Sequence, residues 1–372
     1  MHSLSGKHDC EVGLALSSVV GNRTMSLRLI DAARSHLRYL QEPLWFGALE
    51  DYQKYAAPKL LRFSSQIESE FVFRRKLRYR EPEFPPLVIA CTLQVAAAIA
   101  AYDPGARLVV ATDSTPAFTA RLYRGAETPR WNSRAKAAIN KAIGWRYSGL
   151  IKRVSAWLPM SELCKQSLIN DYRVSAEVCF VTRSPQLNIA NIRQANDTSR
   201  GLEILMVAND FILKGGRELV SAVMGLDNVR LTIISNDAKA IAVKYPGKIE
   251  VVSGLRNPQD MISYYRSAHL LVHPTRRDCY SHVMCEALAQ GCPVAVTEGV
   301  PPAEIVNESG AGWIIQRPVN AGAIIELLRH VIASPSEIDR RSVAAIRYAQ
   351  SHLSMEKFGS TIVDAVTRAV CG

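Results

Sequence analysis

The chain has 372 residues, 48% hydrophobic and 21% charged, which suits two packed domains and argues against long disorder. Its longest apolar stretch, Leu87 to Tyr102, is broken by Thr92 and Gln94. It falls short of the roughly 20 residues that a membrane-spanning helix needs.

The net charge of +11 is uneven: residues 1–185 hold 26 Lys and Arg against 16 Asp and Glu, the remainder 19 against 18. The basic first half points to a nucleic acid, an anionic membrane or an acidic substrate met there. Met1 to Asp9 carries no apolar core of a signal peptide, and the eight cysteines form no CxxC pair. Both features predict a protein of the reducing cytoplasm, without disulfides or a zinc site.

In chain order, the first half predicts strands at Val12–Leu16, Leu87–Cys91, Leu108–Ala111, Val154–Leu158 and Glu177–Val181. Helices are expected over Met25–Leu40, Ala48–Phe63, Ser133–Arg146 and Ser161–Tyr172. A polar run, Ile189 to Arg200, reads as the linker. Beyond it the alternation sharpens to intervals of about 20 residues, which implies right-handed crossovers and a parallel sheet. Strands are predicted at Glu203–Val207, Val229–Ile234, Ile249–Val252, Leu270–His273, Pro293–Val296 and Trp313–Ile315. Helices are predicted at Gly216–Met224, Pro258–Ser267, Ser281–Gln290, Pro302–Glu308 and Ala321–Ile332. Arg341 to Val370 is helical in pattern. The expected fold is α/β, with two doubly wound, Rossmann-like domains: 1–188, 189–350 and a closing helix in 351–372.

Three places could carry chemistry. Asp278 and Glu286 stand eight positions apart, one in the loop after a strand and one in the first two turns of the next helix. In open parallel sheets that loop faces the crevice where ligands bind. Asn209 to Gly216 follows the first strand of the second half, where Lys214 and the pair Gly215-Gly216 open a helix. Free amides and the helix dipole at such a start suit a phosphate. The segment Phe71 to Arg80 interleaves Arg74, Arg75, Lys76, Arg78 and Arg80 with apolar residues. It reads either as a helix lying on anionic lipid or as a solvated helix packing its apolar side into a core.

The residues around the acid pair resemble the retaining glycosyltransferases of family 4. Their signature is a proline-ended strand, an acid, seven residues, then Glu-Ala-(Leu/Met)-Ala-x-Gly-x-Pro-Val. His273-Pro274-Thr275 and Glu286-Ala287-Leu288-Ala289-Gln290-Gly291-Cys292-Pro293-Val294 match it, with Asp278 in place of the usual Glu. Lys214-Gly215 matches the family's Lys-Gly loop, with Asn209 where an Arg is usual. Gly254 sits at the family's turn near the nucleotide base, and Val300 to Val306 is similar to its Gly-x-Pro-Glu-Ile-Val segment.

The resemblance implies a GT-B fold, two Rossmann-like domains facing a cleft, with the donor in the second and the acceptor in the first. It implies a nucleotide diphosphate-sugar donor and a glycan or lipid-linked acceptor, in cell-surface polysaccharide or glycolipid synthesis. Glu286 would hold the ribose, Asp278 the sugar hydroxyls, and Lys214 with the Gly215 and Gly216 amides the diphosphate. In the first half the resemblance places a small-residue loop at Gly21, which an ordinary turn explains equally. It also places a His contacting the reacting sugar after the strand Leu108–Ala111, where this chain has none. Asp113 is the candidate there, the alternative being a turn cap. No Asp-x-Asp triplet occurs, so no metal is expected as cofactor.

Two other readings make different predictions. A non-catalytic nucleotide-sugar-binding protein on this fold would bind nucleotide without transfer. A basic nucleic-acid binder would show steeply salt-dependent affinity, but no recognition motif supports one.

Overall fold

The computed structural model describes residues 11–18, 22–55, 65–125, 142, 144–191, 198–199, 201–238, 245, 247–255 and 258–372. They form two compact units: Met1–Ser184 with Met355–Gly372, and Pro185–Ser354. No described helix is long and apolar enough to cross a membrane.

In the first unit, β1 (Val12–Ser17), β2 (Leu44–Phe46), β3 (Leu87–Ala90), β4 (Arg107–Thr112) and β5 (Ala156–Pro159) make a parallel sheet in the order β2-β1-β3-β4-β5. Every residue of β1, β3 and β5 is buried, as expected where helices cover both faces. The long apolar stretch resolves into β3 and a buried helix, Leu93–Tyr102. The Thr92 side chain, accepting from Val95 N–H, caps that helix.

The segment 177–181 is not a strand. Ser175 caps a short 3-10 turn, Ala176–Val178, and only Cys179 bridges Trp157 beyond it. Phe180 and Thr182 still donate to the Trp157 and Pro159 carbonyls, so the run lies along β5 without closing a ladder. The first helix ends at His36, earlier than expected, because Leu40 turns back to bridge Val12. Most of the expected helix 133–146, the later part of 48–63 and most of the linker lie outside the described residues.

The helix Met355–Cys371 belongs to this first unit. It buries Phe358, Ile362, Ala365 and Val366 and packs on the helix Asn22–His36. Gly359 permits the approach, since a Cβ there would lie 2.2 Å from the His36 ring.

In the second unit, β6 (Leu202–Val207), β7 (Val229–Ile234), β8 (Ile249–Val252), β9 (Leu270–His273), β10 (Val294–Thr297) and β11 (Gly312–Ile315) run parallel in the order β11-β10-β9-β6-β7-β8. Ile204, Met206, Leu231, Ile233, Leu270 and Val272 meet Leu219, Val223, Ile324 and Leu328 from the covering helices in one core. From β6 the chain winds outward to β7 and β8, then returns to the other side of β6 to form β9. The strand order therefore reverses between β6 and β9, and in an open α/β sheet that reversal opens a crevice at the carboxyl ends.

Candidate functional site

Two loops of the second unit border that crevice, 208–215 after β6 and 274–281 after β9. The first is held by its own backbone. Lys214, Gly215 and Gly216 donate their amides to the carbonyls of Asp210, Ile212 and Phe211. Gly215 has φ of +76°, and a Cβ there would stand 2.2 Å from the Pro274 carbonyl oxygen. A Cβ on Gly216 would stand 2.1 Å from the Phe211 ring. Gly215 thus lets the first loop approach Pro274 at the end of β9, and Gly216 makes room for the Phe211 ring of its own loop. Arg276 pins the two loops together, donating to the Ile212 carbonyl and pairing with Glu218.

The contact brings Lys214 to Asp278, Nζ to Oδ2 at 2.6 Å. The same Oδ2 meets His273 Nε2 at 2.8 Å. His273 ends β9 and is only 2% exposed. Burial lowers the imidazole from its ordinary 6.5 against the pull of Asp278, and the charge on Lys214 lowers it further. The ring is neutral, with Nε2 as donor. Burial alone would raise the Asp278 carboxyl above 3.8, but the His273 hydrogen bond and the Lys214 charge outweigh it, and the net direction is down. Asp278 is therefore an anion held between one cation and one neutral donor.

Glu286 lies in the helix His282–Ala289, whose start Ser281 caps by accepting from Met284 N–H. Its Oε2 accepts the Tyr265 hydroxyl at 2.7 Å. Burial, then the charge on Glu286, holds that phenol well above its ordinary 10, so it stays a donor. Gly291 follows the helix with φ of +71°. On the β6 side, Asn209 is exposed. Gly254, with φ of +75°, follows β8 and donates to Asn236 Oδ1 at 3.2 Å.

The structure brings together Lys214, Gly215, Gly216 and Asp278. Glu286 stands in the helix that leaves the same loop, and Gly254 at the end of β8. His273 and Tyr265 were not among the sequence candidates. His273 carried a signal, a polar residue closing an all-buried apolar strand. Nothing in the sequence separated Tyr265 from its neighbour Tyr264.

In the first unit, Asp113 follows β4 and accepts from the Ser114 hydroxyl at 3.1 Å. Gly21 lies outside the described residues. The five cations of 74–80 divide. Lys76 is buried, donating to Asp51 and to the Trp45 carbonyl, both at 2.7 Å. Arg74 pairs with buried Glu70 at 2.6 Å. Val72, Phe73 and Leu77 of the same helix are core residues, so its apolar side is already covered. Arg75, Arg78 and Arg80 are exposed. Among the described residues no group of three or more His, Cys, Asp or Glu is placed to hold a metal ion.

Residues 188–352 match the family model described as glycosyl transferases group 1. No curated protein matches the chain. Among solved structures it is similar to sucrose-phosphate synthase from Thermosynechococcus elongatus, with TM-score 0.72 and 13% identity over 95% of this chain and 98% of that one. It is also similar to HepE from Anabaena in complex with UDP, with TM-score 0.67 and 15% identity over 96% and 99% of the two chains. A third is WaaG, a glycosyltransferase involved in lipopolysaccharide biosynthesis, with TM-score 0.62 and 15% identity over 94% and 98%. The fold is GT-B, with two Rossmann-like domains, one built on each parallel sheet.

Proposed function

We propose that the protein is a retaining glycosyltransferase that moves a sugar from a nucleotide diphosphate-sugar to a glycan or lipid-linked acceptor. The observation that carries this reading is the Lys214–Asp278–His273 cluster, set where the strand order reverses and inside the segment matching glycosyl transferases group 1. HepE, solved with UDP-glucose, puts uridine diphosphate sugars first among the donors to try.

On this reading the bond between the anomeric carbon and the diphosphate oxygen breaks, and the diphosphate keeps the electron pair. Lys214 exchanges Asp278 for the diphosphate and stabilises the charge developing there. Asp278, still hydrogen-bonded by His273, turns its carboxylate to the sugar hydroxyls. Glu286, oriented by Tyr265, holds the ribose, and Gly254 borders the base. The acceptor oxygen adds to the anomeric carbon on the face the diphosphate leaves, and a diphosphate oxygen takes its proton. No metal is assigned a role. Asp113, at the end of β4, is the candidate contact of the first unit. The pathway we favour is cell-surface polysaccharide or glycolipid synthesis on the cytoplasmic side of a membrane, with Arg75, Arg78 and Arg80 as the cations open to lipid.

Product and donor anomeric configurations, compared by proton NMR during turnover, test the reading. Retained configuration is expected, and an inverted product overturns the mechanism. Nucleotide binding with neither transfer nor hydrolysis would support the non-catalytic reading instead.

A further inference from the structure

The basic first unit holds a second cluster of charge that the donor site does not use. The helix Ser65–Arg80, the helix Leu93–Tyr102 and the helical run 144–153 border an open cavity of about 290 Å³. Its apolar wall comes from alanines of the second helix and from Leu150, and its polar wall from Glu70, Tyr147 and three arginines.

Glu70, only 2% exposed, organises the polar wall. It accepts from Arg74 at 2.6 Å, from Arg146 at 2.9 Å and from the Tyr147 hydroxyl at 2.6 Å. One buried carboxylate thus fixes two guanidiniums. Arg74 Nε is buried without a partner. Arg153 is exposed and gives one Nη2 hydrogen bond, 2.8 Å long, to the Pro104 carbonyl. Each guanidinium has five N–H donors, more in total than Glu70 and Pro104 accept. Three cations against one carboxylate leave two positive charges facing the cavity.

Pro104 and Arg153 lie three residues before the starts of β4 and β5, which puts this end of the cavity at the amino edge of the sheet. Ligands of open α/β sheets bind at the opposite, carboxyl edge. The cavity is therefore not the acceptor crevice.

We propose that this cavity is a second ligand site, binding a phosphate monoester dianion on a small aliphatic skeleton. Two net charges match the dianion, and the guanidinium forks of Arg74, Arg146 and Arg153 suit its oxygens. The alanine wall takes the carbon chain. The volume lies at the lower end of the range for small-molecule sites.

Such a group can arrive free or as a lipid headgroup, and two probes separate the sources. Glycerol 3-phosphate is titrated into the full chain by calorimetry, with glycerol as the uncharged control. Vesicles of phosphatidic acid in phosphatidylcholine are sedimented with it, against phosphatidylcholine alone. Glycerol 3-phosphate binding that weakens about tenfold in both Arg153→Gln and Arg146→Gln supports a free ligand, one lost charge-assisted contact being worth that much. Vesicle binding that needs phosphatidic acid and falls in Arg153→Gln, with no binding of the soluble probe, supports a headgroup. Arg153 is exposed and does not touch Glu70, so its variant remains decisive even if Arg146→Gln loosens the fold. No binding of either probe, or binding unchanged in Arg153→Gln, overturns the proposal.

Discussion

Asp278 is one methylene shorter than a glutamate, and one oxygen of its carboxylate meets Lys214 and His273 together. The chain gains a fixed anion from that reach. His273→Leu removes the neutral donor and should raise the donor KM, whereas His273→Gln keeps an N–H and should restore it. Steady-state kinetics on the two variants separates this positioning from a purely structural loss, which would lower both alike. The pH dependence of folding gives a second readout. The folded imidazole titrates below its ordinary 6.5, so between those values the unfolded chain binds more protons, and stability falls as pH drops below about 6.5. Asp278 has the same sign lower down, its stabilisation being lost as pH falls below 3.8. Urea melts from pH 7.5 to 5 should show a shallower acid loss in His273→Gln than in the natural chain. Equal slopes would contradict the assignment.

At the scale of elements, what the sequence made legible follows from burial. β7, β8 and β9 have the expected bounds. β9 is buried throughout and leaves the continuous apolar signature of a parallel strand covered on both faces, whereas β7 and β8 expose Arg230 and Glu250. β2 is three residues, Leu44–Phe46, too short for any period to register. Residues 177–181 have the composition of a strand, but Ser175 caps a 3-10 turn over Ala176–Val178 that takes the first of them out of the ladder. The glycine pair is legible in the sequence as the opening of a helix, whereas the bonds its amides make within the loop depend on backbone angles that residue identity does not reveal. Gly215→Ala should cost about 2 kcal/mol or more, since it combines positive φ with a clash on Pro274. Chemical denaturation measures it, and donor affinity should fall with it as the loop lifts from β9. The helix Ser65–Arg80 gives the complementary lesson, a charge run whose middle cation is internal. Lys76→Ala strands the buried Asp51 carboxylate and should destabilise the first unit by about 3–5 kcal/mol. Lys76→Met with Asp51→Leu should recover most of that loss.

At the scale of the whole molecule, the second unit was the easier to read. Its motif residues lie within the connections between consecutive strands, whereas the first unit is completed by residues from the far end of the chain. Met355–Cys371 fills a face of the first unit with Phe358, Ile362 and Val366. Ending the chain at Ser354 should therefore unfold the first unit while the second keeps its cooperative melt. Calorimetry should show one transition lost and one kept.

The central claim, that Lys214, Asp278 and Glu286 form a nucleotide-sugar site, is tested most directly by nucleotide release. Purified protein, a set of nucleotide-sugars and an acceptor extract are assayed for the natural chain, Lys214→Ala and Glu286→Ala, each checked for an unchanged melting temperature. The account predicts release by the natural chain and a loss of about 100-fold or more in each variant, of the order seen when one group stabilising developing charge is removed. Release at the natural rate in both variants would contradict it.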